Sequence, residues 1–127
     1  MSDSLPVAPG TASSGYEFGP FRLDVGSYQL LRDGAEVDLT SKVFDTLLLL
    51  IRQRHRVVTK EELLASVWRD AAVTDDSLIQ CVSALRRALG DDATRPTYVS
   101  TIARRGYRFI APVTEWSIPM EIGRAHV

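Results

Sequence analysis

The groups in this chain best suited to chemistry are amides, hydroxyls and guanidiniums, and they gather on one stretch and one loop. In Asp75–Leu89, Leu78, Val82, Leu85 and Leu89 fall at i, i+4, i+7 and i+11, so they stack on one helical face. At about 100° per residue, the opposite face carries Asp76, Gln80, Ser83, Ala84 and Arg87. That face is short, polar and cationic towards its C-terminal half, so it can lie against a groove without a bulky hydrophobe in the way. Downstream, Ala103-Arg104-Arg105-Gly106 separates two strand-like runs. A tip with two arginines and a glycine suits a phosphate backbone.

Bond-making chemistry has no comparable set of residues. A single cysteine, Cys81, cannot form an internal disulfide, and His55 and His126 cannot assemble a zinc site with it in any known spacing. There is no glycine-rich phosphate loop, nucleophile–base pair or pair of carboxylates with an obvious pocket. Asp91-Asp92 follows the helix-ending Gly90 and reads as a turn. Neither enzymatic activity nor a cofactor or metal is expected.

Composition sets the scale. With 127 residues, 45% of them hydrophobic, the chain can bury one core but hardly two. Its formal net charge of −1 does not announce a nucleic-acid binder, but the charges are unevenly distributed. From Ser77 to Ile110 the bases Arg86, Arg87, Arg95, Arg104, Arg105 and Arg108 face only Asp91 and Asp92. Acids gather earlier, at Glu17, Asp24, Asp33, Glu36, Asp38 and Asp45. A basic C-terminal half implies one anion-facing surface. No apolar run approaches the roughly 20 residues of a membrane span, and no basic-then-apolar leader opens the chain. A cytoplasmic location is the default expectation.

The elements that must position these groups follow from pattern. Residues 1–15 are rich in Ser, Pro, Gly and Ala and read as a disordered lead-in, with order beginning near Tyr16. Phe18, Phe21 and Leu23 bracket a Gly19-Pro20 break, Tyr28–Arg32 forms a further run, and Ala35, Val37 and Leu39 alternate. Asp33-Gly34 favours a type I′ hairpin turn, so a small antiparallel sheet is expected. Thr40 caps a helix from Ser41 to about Arg54, apolar on most faces and hence central to its domain. Thr59 and Glu62 form a capping box that starts a second helix, with Leu63, Leu64, Val67 and Trp68 on its buried face. Residues 69–74 join it to the polar-faced helix, in outline a helix-turn-helix. Gly90 ends that helix, and the strands Tyr98–Ile102 and Tyr107–Ile110 follow.

In this order the chain resembles the winged-helix DNA-binding domain of the OmpR/PhoB family of bacterial transcription regulators. It looks closest to the CadC- and ToxR-like branch, in which no receiver precedes the domain. LTSKVFDTLLLLI (Leu39–Ile51), VVTKEELLASVW (Val57–Trp68), DDSLIQCVSALRRALGDD (Asp75–Asp92) and YVSTIARRGYRFIAPV (Tyr98–Val113) carry the resemblance. It covers residues 16–115, leaving a tail at 116–127. It implies an α+β winged helix-turn-helix: an N-terminal four-stranded antiparallel sheet, three helices and a C-terminal β-hairpin wing. It also implies a recognition helix at 75–89 in the major groove of double-stranded DNA and a wing at 102–107 by the minor groove.

The residue roles are likewise implied by the resemblance. Base-reading positions map onto Ser77, Gln80, Cys81, Ser83 and Ala84, and Gln80 is the best suited because its amide matches adenine N6 and N7. Phosphate contacts map onto Arg86, Arg87, Thr101, Arg104, Arg105 and Arg108. Many relatives carry arginines or a histidine where this chain has Cys81, Ser83 and Ala84, and a basic residue at Ala103. Fewer charged contacts imply weaker binding by one domain and reliance on tandem sites or a homodimer. With about five phosphate contacts, the log–log salt slope is expected near −4 to −5. Loop 69–74 corresponds to the segment by which family members touch RNA polymerase. In receiver-less relatives the sensing region lies C-terminal, and Glu121–Val127 (EIGRAHV) looks like adaptor-derived sequence, so the natural protein is expected to continue past Met120. An alternative is a protein-docking winged helix with a degenerated DNA face, which the missing arginines and acidic net charge favour. For Cys81, about 300° from Leu78 and beside the core stripe, a partly buried apolar role is favoured over a redox switch.

Overall fold

The computed structural model describes residues 13–69 and 73–118. The lead-in up to residue 12, the centre of the 69–74 loop and the ending Glu121–Val127 lie outside the described residues. The chain divides into two compact units. One combines the residues up to Val37 with those from Val113 onward, and the other is Asp38–Pro112.

The first unit is an antiparallel sheet of five strands: β1 (Ser13–Phe18), β2 (Phe21–Asp24), β3 (Gln29–Arg32), β4 (Ala35–Val37) and, from the far end of the sequence, β8 (Thr114–Ile118). Their order is β4-β3-β2-β1-β8. The expected four strands are present, and β8 adds a fifth by pairing with β1 from Ser13↔Ile118 to Glu17↔Thr114. Strand β1 therefore takes in Ser13–Gly15, ahead of Tyr16, and β8 takes in the start of the expected tail. The physical reason is mutual: the two segments lack periodicity of their own, and each supplies the other's backbone hydrogen bonds. Asp33 and Gly34 both have positive φ (50° and 86°), as a type I′ turn requires.

The second unit holds three helices and a smaller sheet. In α1 (Ser41–Arg52) the Thr40 hydroxyl accepts a hydrogen bond from Val43 N–H at 3.3 Å. It ends two residues before the expected Arg54, whose side chain instead donates to the Ile51 carbonyl at 2.9 Å. Phe44, Leu47, Leu50 and Ile51 are buried almost completely, making α1 the central helix that its apolar faces imply. Helix α2 (Lys60–Val67) opens on the full Thr59–Glu62 capping box. Arg56 clamps Glu62 with two contacts of 2.7 and 2.6 Å. That hydrogen-bonded pairing, seconded by the Thr59 backbone, lowers the Glu62 pKa to about 2.

Helix α3 spans Asp75–Leu89 and buries Leu78, Val82, Leu85 and Leu89 on the expected stripe. Gly90 closes it in the left-handed conformation, φ 68°. Two hairpin strands follow, β6 (Val99–Ile102) and β7 (Gly106–Phe109), in register Val99↔Phe109 and Thr101↔Tyr107. A two-residue strand that the pattern did not announce, β5 (Val58–Thr59), pairs with β7 to give the order β5-β7-β6. This pairing explains Gly106: a Cβ there would sit 2.0 Å from the Val58 carbonyl oxygen. Only glycine permits that approach. No helix of the described residues is long and apolar enough to cross a membrane.

Candidate nucleic-acid interface

The geometry of the candidate surface begins with how α3 is held against the hairpin. Arg86 reaches from the last turns of the helix and donates one Nη to the Val99 carbonyl (3.0 Å) and the Thr101 hydroxyl (2.7 Å). Behind it, the Asp91 carboxylate accepts backbone N–H bonds from Thr97 (2.7 Å), Tyr98 (3.2 Å), Val99 (2.9 Å) and Asp92 (3.0 Å). Burial by itself would raise the Asp91 pKa, but these four donors outweigh it and hold the carboxyl below its usual range. What reads in sequence as a simple turn is the knot that joins the end of α3 to the start of β6.

The outward face of α3 presents Gln80, Ser83 and Arg87 as exposed side chains, with Ser77 and Ala84 half-buried at its margin. Asp75 and Asp76 are exposed in the first turn, where the helix dipole favours acids. Cys81, expected from the resemblance among the base-reading positions, lies off the outward face. It is 7% exposed, and its sulfur lies 3.4 Å from the hydroxyl of the buried Thr46 of α1. Burial raises the thiol pKa, opposed by that hydroxyl, so the thiolate is disfavoured. The physical reason is rotational: a small apolar side chain at the edge of the core stripe turns inward.

The hairpin sorts its residues by strand alternation. Thr101 and Tyr107 are cross-strand partners on one face, while Ser100 and Arg108 form the next pair on the other. Arg108 therefore points away from the Thr101 face, and its Nε lies 3.4 Å from the Arg54 carbonyl at the end of α1. At the tip Arg104 and Arg105 are exposed, with Arg104 in the left-handed region at φ 65°. The Arg105 carbonyl accepts from Lys60 N–H at 3.3 Å, fastening the tip to the start of α2. Between α3 and the hairpin lies an open cavity of about 330 Å³, whose lining includes Ile79, Ser83, Arg86, Thr101, Arg104 and Lys60.

The structure thus gathers Gln80, Ser83, Arg87, Thr101, Arg104 and Arg105 around exposed parts of α3 and the hairpin. It turns Cys81 inward, places Arg108 on the opposite sheet face and commits Arg86 to bridging. Two contributors were missed. Lys60 reaches the cavity only because β5 pairs with β7, a non-local event with no local signal. Ile79 is 50% exposed, so the face does carry a bulky hydrophobe at its flank. Its angular position, about 100° from Leu78, was the available clue.

With this geometry in place, comparison with known families is decisive. The family described as "Transcriptional regulatory protein, C terminal" matches residues 34–109. The chain belongs to that family. It is a winged-helix DNA-binding domain of the OmpR/PhoB type, a class without catalytic activity. The transcriptional regulator HilA of Salmonella typhi is 36% identical over 104 residues, which make up 82% of this chain. The chain spans about 18% of the length of HilA. The DNA-binding domain of Klebsiella pneumoniae RstA, solved in complex with the RstA box, superposes with a TM-score of 0.66 at 29% identity, covering 73% of this chain and 93% of that one. The DNA-binding domain of Escherichia coli CadC gives 0.70 at 26% identity, covering 86% and 100%.

Proposed function

We propose that this OmpR/PhoB-type domain directs a bacterial transcription regulator to its sites by laying α3 in the major groove of duplex DNA and the β6–β7 tip at the adjacent minor groove. The observation that carries this reading is the pairing of an exposed Gln80–Ser83–Arg87 face with an exposed Arg104–Arg105 tip in one unit. Gln80 reads a base edge, with Ser83, Ser77 and Ala84 as lesser contacts. Arg87, Arg104 and Arg105 neutralise phosphates. Thr101 and Arg86 set the distance between helix and hairpin, so their effect on DNA passes through geometry. Arg108, on the other sheet face, contributes to the general positive field.

Because Ser83 and Ala84 are small and uncharged, one domain supplies few contacts, and occupancy depends on tandem sites or a homodimer on DNA. Loop 69–74, which opens on the exposed Arg69, is the segment we assign to RNA polymerase. The domain acts on the cytoplasmic side, whatever anchors the rest of a longer protein.

In-vitro selection from a randomised duplex library tests the proposal. Enrichment of a short motif, repeated in tandem, is expected. A second reading, a protein-docking module, draws on the exposed Asp75–Asp76 pair at the start of α3. Absence of binding even at low salt would decide for that module.

A further inference from the structure

We propose that Ile79 is a second specificity determinant on α3, one that recognises the 5-methyl group of a thymine where Gln80 recognises a hydrogen-bonding edge. Four large hydrophobes among the described residues stay prominently exposed: Tyr28 (47%), Ile79 (50%), Ile110 (44%) and Ile118 (43%). Ile79 is the most exposed of them and the only one on α3. A lone exposed aliphatic is ordinary on a protein surface, so exposure alone carries nothing. Position does.

At about 100° per residue, Ile79 sits between Arg86 and Ser83 around the helix axis, on the flank that turns towards the hairpin. It opens onto the cavity shared with Thr101 and Arg104. The cavity is lined by Ser83, Arg86, Thr101 and Arg104 together with Ile102 and Tyr107, and half of the branched Ile79 side chain stays uncovered among them. In the major groove the thymine methyl is the apolar feature of a base edge, and an aliphatic side chain is its natural partner. Arg104 on the same cavity brings a phosphate close, and contact then removes water from both apolar groups. Gln80 points about 100° further round the helix, so the two side chains address different base pairs.

This inference rests on the reading of α3 as the groove-lying helix, and the test separates the two. The full chain is titrated with its selected site, in which each thymine is replaced in turn by deoxyuridine, a change that removes only the methyl. Burying one methyl corresponds to roughly a fourfold change in affinity. The wild type should lose about three- to fivefold at one thymine. Ile79→Ala, a change at an exposed position that leaves the core intact, should bind the thymine site more weakly by a similar factor. It should no longer distinguish thymine from deoxyuridine there, whereas Gln80→Ala should keep the distinction. Wild-type indifference to every deoxyuridine, or an Ile79→Ala variant that still senses the methyl, overturns the inference. If Gln80→Ala and Ser83→Ala both leave the selected motif unchanged, the groove-lying reading itself fails and Ile79 loses its role with it.

Discussion

The outward face of α3 and the tip of the β6–β7 hairpin offer DNA two different kinds of group on two different kinds of backbone. The helix presents short or neutral side chains, Gln80 and Ser83, on a 15-residue element anchored by five buried residues. The tip presents two long cations, Arg104 and Arg105, on a turn whose backbone at Arg104 has φ 65°. Hydrogen bonding to a base edge tolerates little displacement, so it belongs on the rigid element. Neutralising a phosphate needs charge and reach, and a flexible arginine on a turn supplies both. On the proposed DNA-binding reading the pair divides the labour, the helix serving specificity and the tip affinity. Arg86 and Asp91 keep the two in register.

Breaking that register should have the largest effect. Asp91→Ala removes the acceptor for four backbone N–H groups and should cost about 2 kcal/mol, visible as a lower Tm. It should also weaken binding to any duplex by displacing the hairpin. The pH dependence follows from the sign of the shift. Asp91 has a folded pKa below its ordinary 3.8, so its stabilisation is complete above that value and is lost as pH falls through the folded one. Glu62, lowered to about 2 from 4.5, behaves likewise. Thermal melts should therefore show stability falling between about pH 4.5 and pH 2, and Asp91→Asn should flatten that decline.

A milder change sharpens the contrast. Asp76 is exposed in the first turn of α3, where it favours the helix dipole but repels phosphate. Asp76→Asn should raise affinity about two- to threefold for specific and non-specific duplexes alike, at a small loss of Tm. A gain confined to the specific site would mean that Asp76 takes part in reading bases.

How much of this was legible in the sequence depends on how local each feature is. Helix α3 was readable to the residue because its leucine and valine spacing, and Gly90, are all within the segment. The second hairpin strand and its packed face followed from the alternation of Tyr107, Arg108 and Phe109, and the Asp33-Gly34 turn from its own dipeptide. Apart from Ile79, whose helical angle was a local clue, the features the pattern did not announce are contacts between distant segments. β8 joins a sheet whose first strand lies about a hundred residues earlier in sequence. β5 is two residues long and exists only because β7 lies beside it. For Cys81 the angle beside the core stripe already pointed to the partly buried role it has, but its contact with Thr46, on another helix, had no local signal. Arg86 was mapped to phosphate by family position, and its hydrogen bonds to β6, thirteen and fifteen residues away, have no local signal in the sequence.

The division of labour is tested most directly by measuring affinity against salt concentration for the selected site and for an unrelated duplex. Three chains are compared: wild type, Gln80→Ala, and the Arg104→Ala/Arg105→Ala pair. The arginine pair should weaken both duplexes alike, roughly tenfold or more at moderate salt, and flatten the log–log slope by about 2. Gln80→Ala should weaken only the selected site, by about ten- to a hundredfold, with the slope unchanged. The opposite pattern would contradict the account: a specific loss from the arginine pair at constant slope, with Gln80→Ala weakening both duplexes alike.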